Sequence, residues 1–217
     1  MLTKAKIGLF YTVHRLCSDG RHSKMEMSML SGIILSLVIM AGEAEAGTRT
    51  DAFVNKEVGG ATTPVLSVYT SSPLTLPGSE GPNSLSFTTF GLVMPGWAEV
   101  YGGLAYSPFS WAEVSASVGV ETVQDAPWRV AGSLYMNPGR FTVLGIGEYG
   151  GSGLWYKGVL TYSLPLADDQ IAVGAMSQAF LGHGPRVELN LKWASFYGAP
   201  LWTADTMTIH TGIGKYW

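Results

Sequence analysis

At 217 residues with a formal net charge of -3, the chain has room for one domain or at most two and carries no basic footprint for nucleic acid. Charged residues make up only 13%, half the usual ~25%, whereas there are 28 glycines and 12% aromatics, a balance that suits short strands facing lipid or a tight interior. No apolar run of the ~18 residues a membrane helix needs occurs after residue 46, which excludes a helical multi-span protein.

In chain order, an apolar core from Met29 to Ala41 is followed by Ala44-Glu45-Ala46, an A-x-A cleavage pattern, with Arg21 and Lys24 as the positive flank. This predicts a secretory signal peptide cut after Ala46; an uncleaved anchor would need a core nearer ~20 residues. Residues 1–24 form a long n-region, with Met25 or Met27 as alternative starts, so 1–46 is set apart as n-region and cleavable signal. The only cysteine, Cys17, lies upstream of the cut, so the remaining chain has neither a disulfide nor a thiolate metal site. Residues 47–63 are polar and are expected to be a loose N-terminal segment ahead of one β domain, 64–217.

From Pro64 onward, runs of about ten residues are separated by Pro and Gly clusters, the spacing of an all-β sandwich or barrel. Ten strands are expected, near 65–72, 84–93, 96–106, 111–122, 128–136, 141–150, 154–164, 170–181, 185–197 and 206–217, with eight as the rival number. In such a barrel the longer Pro73–Asn83 and Gly198–Asp205 connections are expected outside the cell, and Pro95-Gly96 and Gly150–Gly153 on the opposite side.

The clearest alternation runs through Arg186-Val187-Glu188-Leu189-Asn190-Leu191-Lys192-Trp193. In a soluble sheet its apolar side would meet a core. In a membrane barrel Val187, Leu189, Leu191 and Trp193 would face lipid, while Arg186, Glu188, Asn190 and Lys192 would face the lumen. The same parity places Glu113, Arg129, Lys157 and His210 on the polar side, so these eight polar residues form the expected lumenal network. Segment length favours lipid, since about 9 to 11 tilted residues cross a bilayer. So do the aromatics near segment ends: Trp97, Trp111, Trp128, Tyr149, Trp155, Tyr162, Trp193, Tyr197 and Trp217.

With the leader, the alternation across 84–217 and a last strand TMTIHTGIGKYW ending on an aromatic, the chain resembles small bacterial outer-membrane β-barrels. The resemblance implies an antiparallel up-and-down transmembrane barrel in the bacterial outer membrane. Its partners would be outer-membrane lipid and the outer-membrane assembly machinery, which would read Ile209, Ile213 and Trp217 as a terminal signal. Lys215 departs from the usual apolar choice there.

No catalytic motif stands out. His183 and His210 lack a clustered carboxylate, so no metal site and no cofactor are expected. His210 with Ser177 or Ser195 and Glu188 is the one Ser-His-acid grouping that could be drawn, and no spacing selects it. The expected function is non-enzymatic, a narrow pore or a structural surface protein. A soluble periplasmic β-sandwich or lipocalin-like binding protein and a lipid-modifying outer-membrane enzyme are the alternatives. The mixed interior charge leaves any small solute open.

Overall fold

The computed structural model describes residues 47–74, 83–122, 125–166 and 170–216. The expected leader, residues 1–46, and Trp217 lie outside them. Twelve strands follow in order: β1 (Gly47–Glu57), β2 (Thr62–Pro73), β3 (Ser84–Met94), β4 (Trp97–Phe109), β5 (Ala112–Glu121), β6 (Trp128–Met136), β7 (Phe141–Gly150), β8 (Gly153–Ser163), β9 (Ile171–Gln178), β10 (Gly182–Asn190), β11 (Ser195–Trp202) and β12 (Met207–Tyr216). Each pairs antiparallel with its sequence neighbours, and β1 closes on β12 from Arg49↔Tyr216 to Glu57↔Thr208. Closure leaves no unpaired sheet edge.

The all-β antiparallel barrel agrees with expectation, but the strand number does not: twelve, against the ten expected and the rival eight. Two strands were hidden, each for a physical reason. Gly47–Glu57, expected to be a loose segment, is β1; its polarity comes from Arg49, Asp51 and Asn55, which point inward. In β11, Pro200 read as loop. Pro185 stands opposite it across β10, and the ladder skips from His183↔Trp202 to Val187↔Gly198, because neither proline has an N–H to donate. The expected 185–197 strand is therefore two strands joined by a turn, with Leu191 N bonding Ala194 O at 2.9 Å.

An added first strand inverts the side of the connections that follow. Leu74 and Asn83, which flank the β2–β3 connection, lie at the end that holds Gly47, here the near end, while Pro95-Gly96 and 151–152 lie at the far end. The Gly198–Asp205 loop does not exist as such, since residues up to Trp202 belong to β11.

Register fixes two faces, because side chains alternate along each strand. On β5, Val114, Val118 and Val120 are exposed outward, while Glu113, Ser115, Ser117, Gly119 and Glu121 turn inward. Aromatics ring both ends of the outer surface. Near the Gly47 end, Phe109 stacks on Trp111 at 4.9 Å and Phe141 meets Tyr162 at 4.9 Å. At the far end, Trp128 packs edge-on to Tyr149 at 6.3 Å. An apolar band between two aromatic girdles is shaped for a bilayer. Trp97, Trp155 and Tyr197 do not join these girdles, because their register positions turn them inward.

Candidate functional site

The functional surface of such a barrel is its lumen, and the structure puts Glu113, Arg129, Lys157, Arg186, Glu188, Asn190 and His210 on the inward face. Val187 and Leu189 are outward, 54% and 41% exposed. Leu191, Lys192 and Trp193 lie in the β10–β11 turn, so strand parity no longer governs them; Lys192 and Trp193 are exposed there. Ile209 and Ile213 are outward on β12.

Arg129 organises one cluster at the far end of β4–β7. It comes from the second position of β6 and its side chain is 1% exposed. Its Nη1 lies 2.9 Å from Glu121 Oε2, its Nη2 3.1 Å from Glu148 Oε2, and its Nε 3.4 Å from Glu99 Oε2. Nε also donates to Tyr101 Oη at 2.7 Å, and Nη1 contacts Ser152 Oγ. Tyr101 Oη in turn lies 3.0 Å from Glu99 and 2.9 Å from Glu148, so its single proton has two carboxylates to serve. Glu121 is held further by Trp97 Nε1 at 3.2 Å and the Ser152 N–H at 2.7 Å. One guanidinium shared among three carboxylates lowers the cost of burying them, and the hydrogen bonds from Tyr101, Trp97 and Ser152 lower it further.

A second assembly runs along β10, β11, β12 and β1. Arg186 pairs with Glu188 at 2.5 Å and lies over the Tyr197 ring at 4.1 Å. Tyr197 stacks on His210 at 5.5 Å, and His210 meets Phe53 at 5.0 Å. His210 Nδ1 lies 2.7 Å from Asn55 Oδ1; its Nε2 has no hydrogen-bond partner. Beside this column Arg49 grips Asp51 with two bonds, 2.7 and 2.9 Å. Lys157 reaches from β8 to within 5.5 Å of the Phe53 ring on β1, five strands away around the barrel.

The interior is unevenly filled. Along β9–β12 the inward positions Ala172, Met176, Tyr197, Ala199, Leu201 and His210 are nearly or wholly buried, and Val159, Met176, Ala199 and Leu201 pack into one apolar cluster. Along β5–β7 the inward residues include Ser115, Ser117, Ser133 and Thr142, small, polar and only half-buried, beside the half-buried Tyr135, Leu144 and Ile146. Solvent therefore reaches the β5–β7 wall, which leads up to the Arg129 cluster at the far end. On this open side Glu113 accepts a hydrogen bond from Tyr69 across the lumen at 3.0 Å.

Sequence alone did not single out Glu99, Tyr101, Glu121 and Glu148 as members of the Arg129 cluster, or Arg49 and Asp51 beside the second assembly. Strand parity was the available signal for all of them. The Ser-His-acid grouping is not brought together: Ser177 sits at an outward position, and Ser195 pairs with Gly214 while His210 pairs with Ala199. Among the described residues no group of three metal-ligating side chains occurs.

No family model and no curated protein sequence matches the chain. Solved structures do match. KdgM porin superposes with a TM-score of 0.53 at 10% identity, covering 78% of this chain and 99% of that one. The fold is that of a porin-type β-barrel. KdgM porin in complex with disordered oligogalacturonate gives a TM-score of 0.52 at 12% identity, with the same coverage, 78% and 99%. The expected resemblance to small outer-membrane barrels thus holds for the fold, and the outer apolar band places the barrel in a membrane.

Proposed function

We propose that the chain is a narrow, non-enzymatic pore of the bacterial outer membrane, with a passage that runs off-centre along the β5–β7 wall. The observation that carries this is the unequal filling of the lumen: half-buried hydroxyls of Ser115, Ser117, Ser133 and Thr142 line the β5–β7 wall short of the Arg129 cluster, whereas Ala172, Met176, Ala199, Leu201 and His210 on the other wall are nearly or wholly buried. A twelve-strand barrel is wide enough to leave such a residual path. A lipocalin-like soluble protein would place its apolar residues inside and its charges outside; here Val118 is 68% exposed and Arg129 2%.

Small polar solutes suit this path better than a bulky polyanion such as the oligogalacturonate bound by the structural neighbour, because carboxylates crowd the Arg129 end. The outward Ile209 and Ile213 on β12 support a role for this strand in outer-membrane assembly. Single-channel recording of the refolded barrel in planar bilayers tests the pore: discrete conductance steps are expected, and their absence at every voltage contradicts it. Extraction as a monodisperse protein without detergent would contradict the membrane placement itself.

A further inference from the structure

Charged side chains at inward strand positions fall into two unequal sets. On β8–β12 and β1, Arg49, Lys157 and Arg186 are matched by Asp51, Glu57 and Glu188, three against three. On β4–β7, Arg129 is the one inward cation among the described residues, against the four carboxylates of Glu99, Glu113, Glu121 and Glu148. β2 and β3 hold no charged residue, and the described connections beside β5–β7 add one of each sign, Asp125 and Arg140. The carboxylate excess therefore lies on the wall that solvent reaches. A proton shared between Glu99 and Glu148 at the Tyr101 hydroxyl would reduce that excess without reversing it. Glu113 differs from the other three. Glu99, Glu121 and Glu148 are only 5–6% exposed and lie within 3.4 Å of Arg129. Glu113 is half-buried and makes no ion pair among the described residues; the Tyr69 hydroxyl donates to it at 3.0 Å, which orients the carboxylate and leaves its charge in place. As the second residue of β5 it stands at the near mouth, and Ser115 and Ser117 follow it toward the Arg129 cluster.

We infer that the passage prefers small monovalent cations, such as potassium, to anions, and that Glu113 is the residue that sets this preference. The inference deepens the pore reading and rests on it. A carboxylate at a narrow mouth between low-dielectric walls raises the local concentration of cations and repels anions. The buried cluster at the other end of the path adds a field of the same sign, but its carboxylates are partly compensated by Arg129 at close range. The accessible, unpaired carboxylate therefore makes the larger difference between a passing cation and a passing anion.

The test is single-channel recording under a potassium chloride gradient of three proteins: the native barrel; Glu113→Gln, which still accepts from Tyr69 but carries no charge; and Tyr69→Phe, which loses that hydrogen bond but keeps the carboxylate. Glu113→Ala is the second neutral variant should Glu113→Gln not refold, as judged by heat-modifiable gel migration. The native reversal potential is expected to lie toward the potassium equilibrium potential. The neutral variant is expected to move it toward zero, with the potassium-to-chloride permeability ratio falling about twofold or more. Tyr69→Phe is expected to keep the native value. A native reversal potential at zero or toward that of chloride overturns the cation preference. An unmoved value in the neutral variant, or an equal shift in Tyr69→Phe, overturns the assignment to the Glu113 charge, and the pore reading stands in all of these cases. If neither the native barrel nor any of its variants conducts, the pore reading falls and this inference falls with it.

Discussion

Two tyrosines, Tyr101 and Tyr197, each lie over a glycine paired with them on the next strand, Gly119 and Gly212, and each is met by an arginine. The assemblies then diverge. Arg129 bonds the hydroxyl of Tyr101 and gathers three carboxylates, making a polar cluster at the far end. Arg186 lies flat on the ring of Tyr197 and keeps one carboxylate, continuing into the stacked column of His210 and Phe53. One tyrosine works through its oxygen and the other through its face, so the same residue types build an ionic cluster on one wall and a packed plug on the other.

Removing the arginines should break the comparison most sharply. Arg129→Leu strands three buried carboxylates and is expected to cost about 3–5 kcal/mol in urea unfolding of the refolded barrel. Arg186→Leu strands only Glu188, whose side chain is 18% exposed, and is expected to cost about 1–3 kcal/mol. Equal losses would contradict the difference drawn between the two walls. The glycines come next. A Cβ at Gly119 would meet the Val100 carbonyl oxygen first and lie 2.6 Å from Tyr101 Cδ1, and one at Gly212 would lie 2.5 Å from Tyr197 Oη, so valine at either position should cost about 1–3 kcal/mol, through displaced rings and, at Gly119, a shifted backbone as well. The finest test is hydroxyl removal. Tyr101→Phe leaves Arg129 Nε without its short partner and should cost about 1–2 kcal/mol, whereas Tyr197→Phe keeps the ring under Arg186 and should stay within about 0.5 kcal/mol by the same assay.

Ten of the twelve strands could be located, with 185–197 overrunning its own, because alternation is a local property: Val114, Val118 and Val120 against Ser115, Ser117 and Glu121 needs no partner to be read. β1 was not, since its inward face carries Arg49, Asp51 and Asn55 and looks like a solvated tail until β12 pairs with it. β11 was hidden by Pro200, which is tolerated only because Pro185 faces it and no ladder bond is demanded there. Parity could mark Glu113, Arg129 and Lys157 as inward, but not whom they meet. Tyr101 reaches Glu148 across three strands and Lys157 reaches Phe53 across five, and such pairs exist only once the sheet has closed. The turn at 191–194 also shows the limit of parity: an unbroken alternation from Arg186 to Trp193 runs past the end of its strand at Asn190.

The unequal filling of the lumen is open to direct measurement, because no cysteine follows Cys17 and single cysteines can be placed at will. In a Cys17→Ser background reconstituted in lipid, Ser117→Cys and Ser133→Cys are expected to react readily with a water-soluble thiol reagent, while Ala172→Cys and Ala199→Cys stay protected until the barrel is unfolded. Equal labelling of all four positions would contradict an off-centre passage.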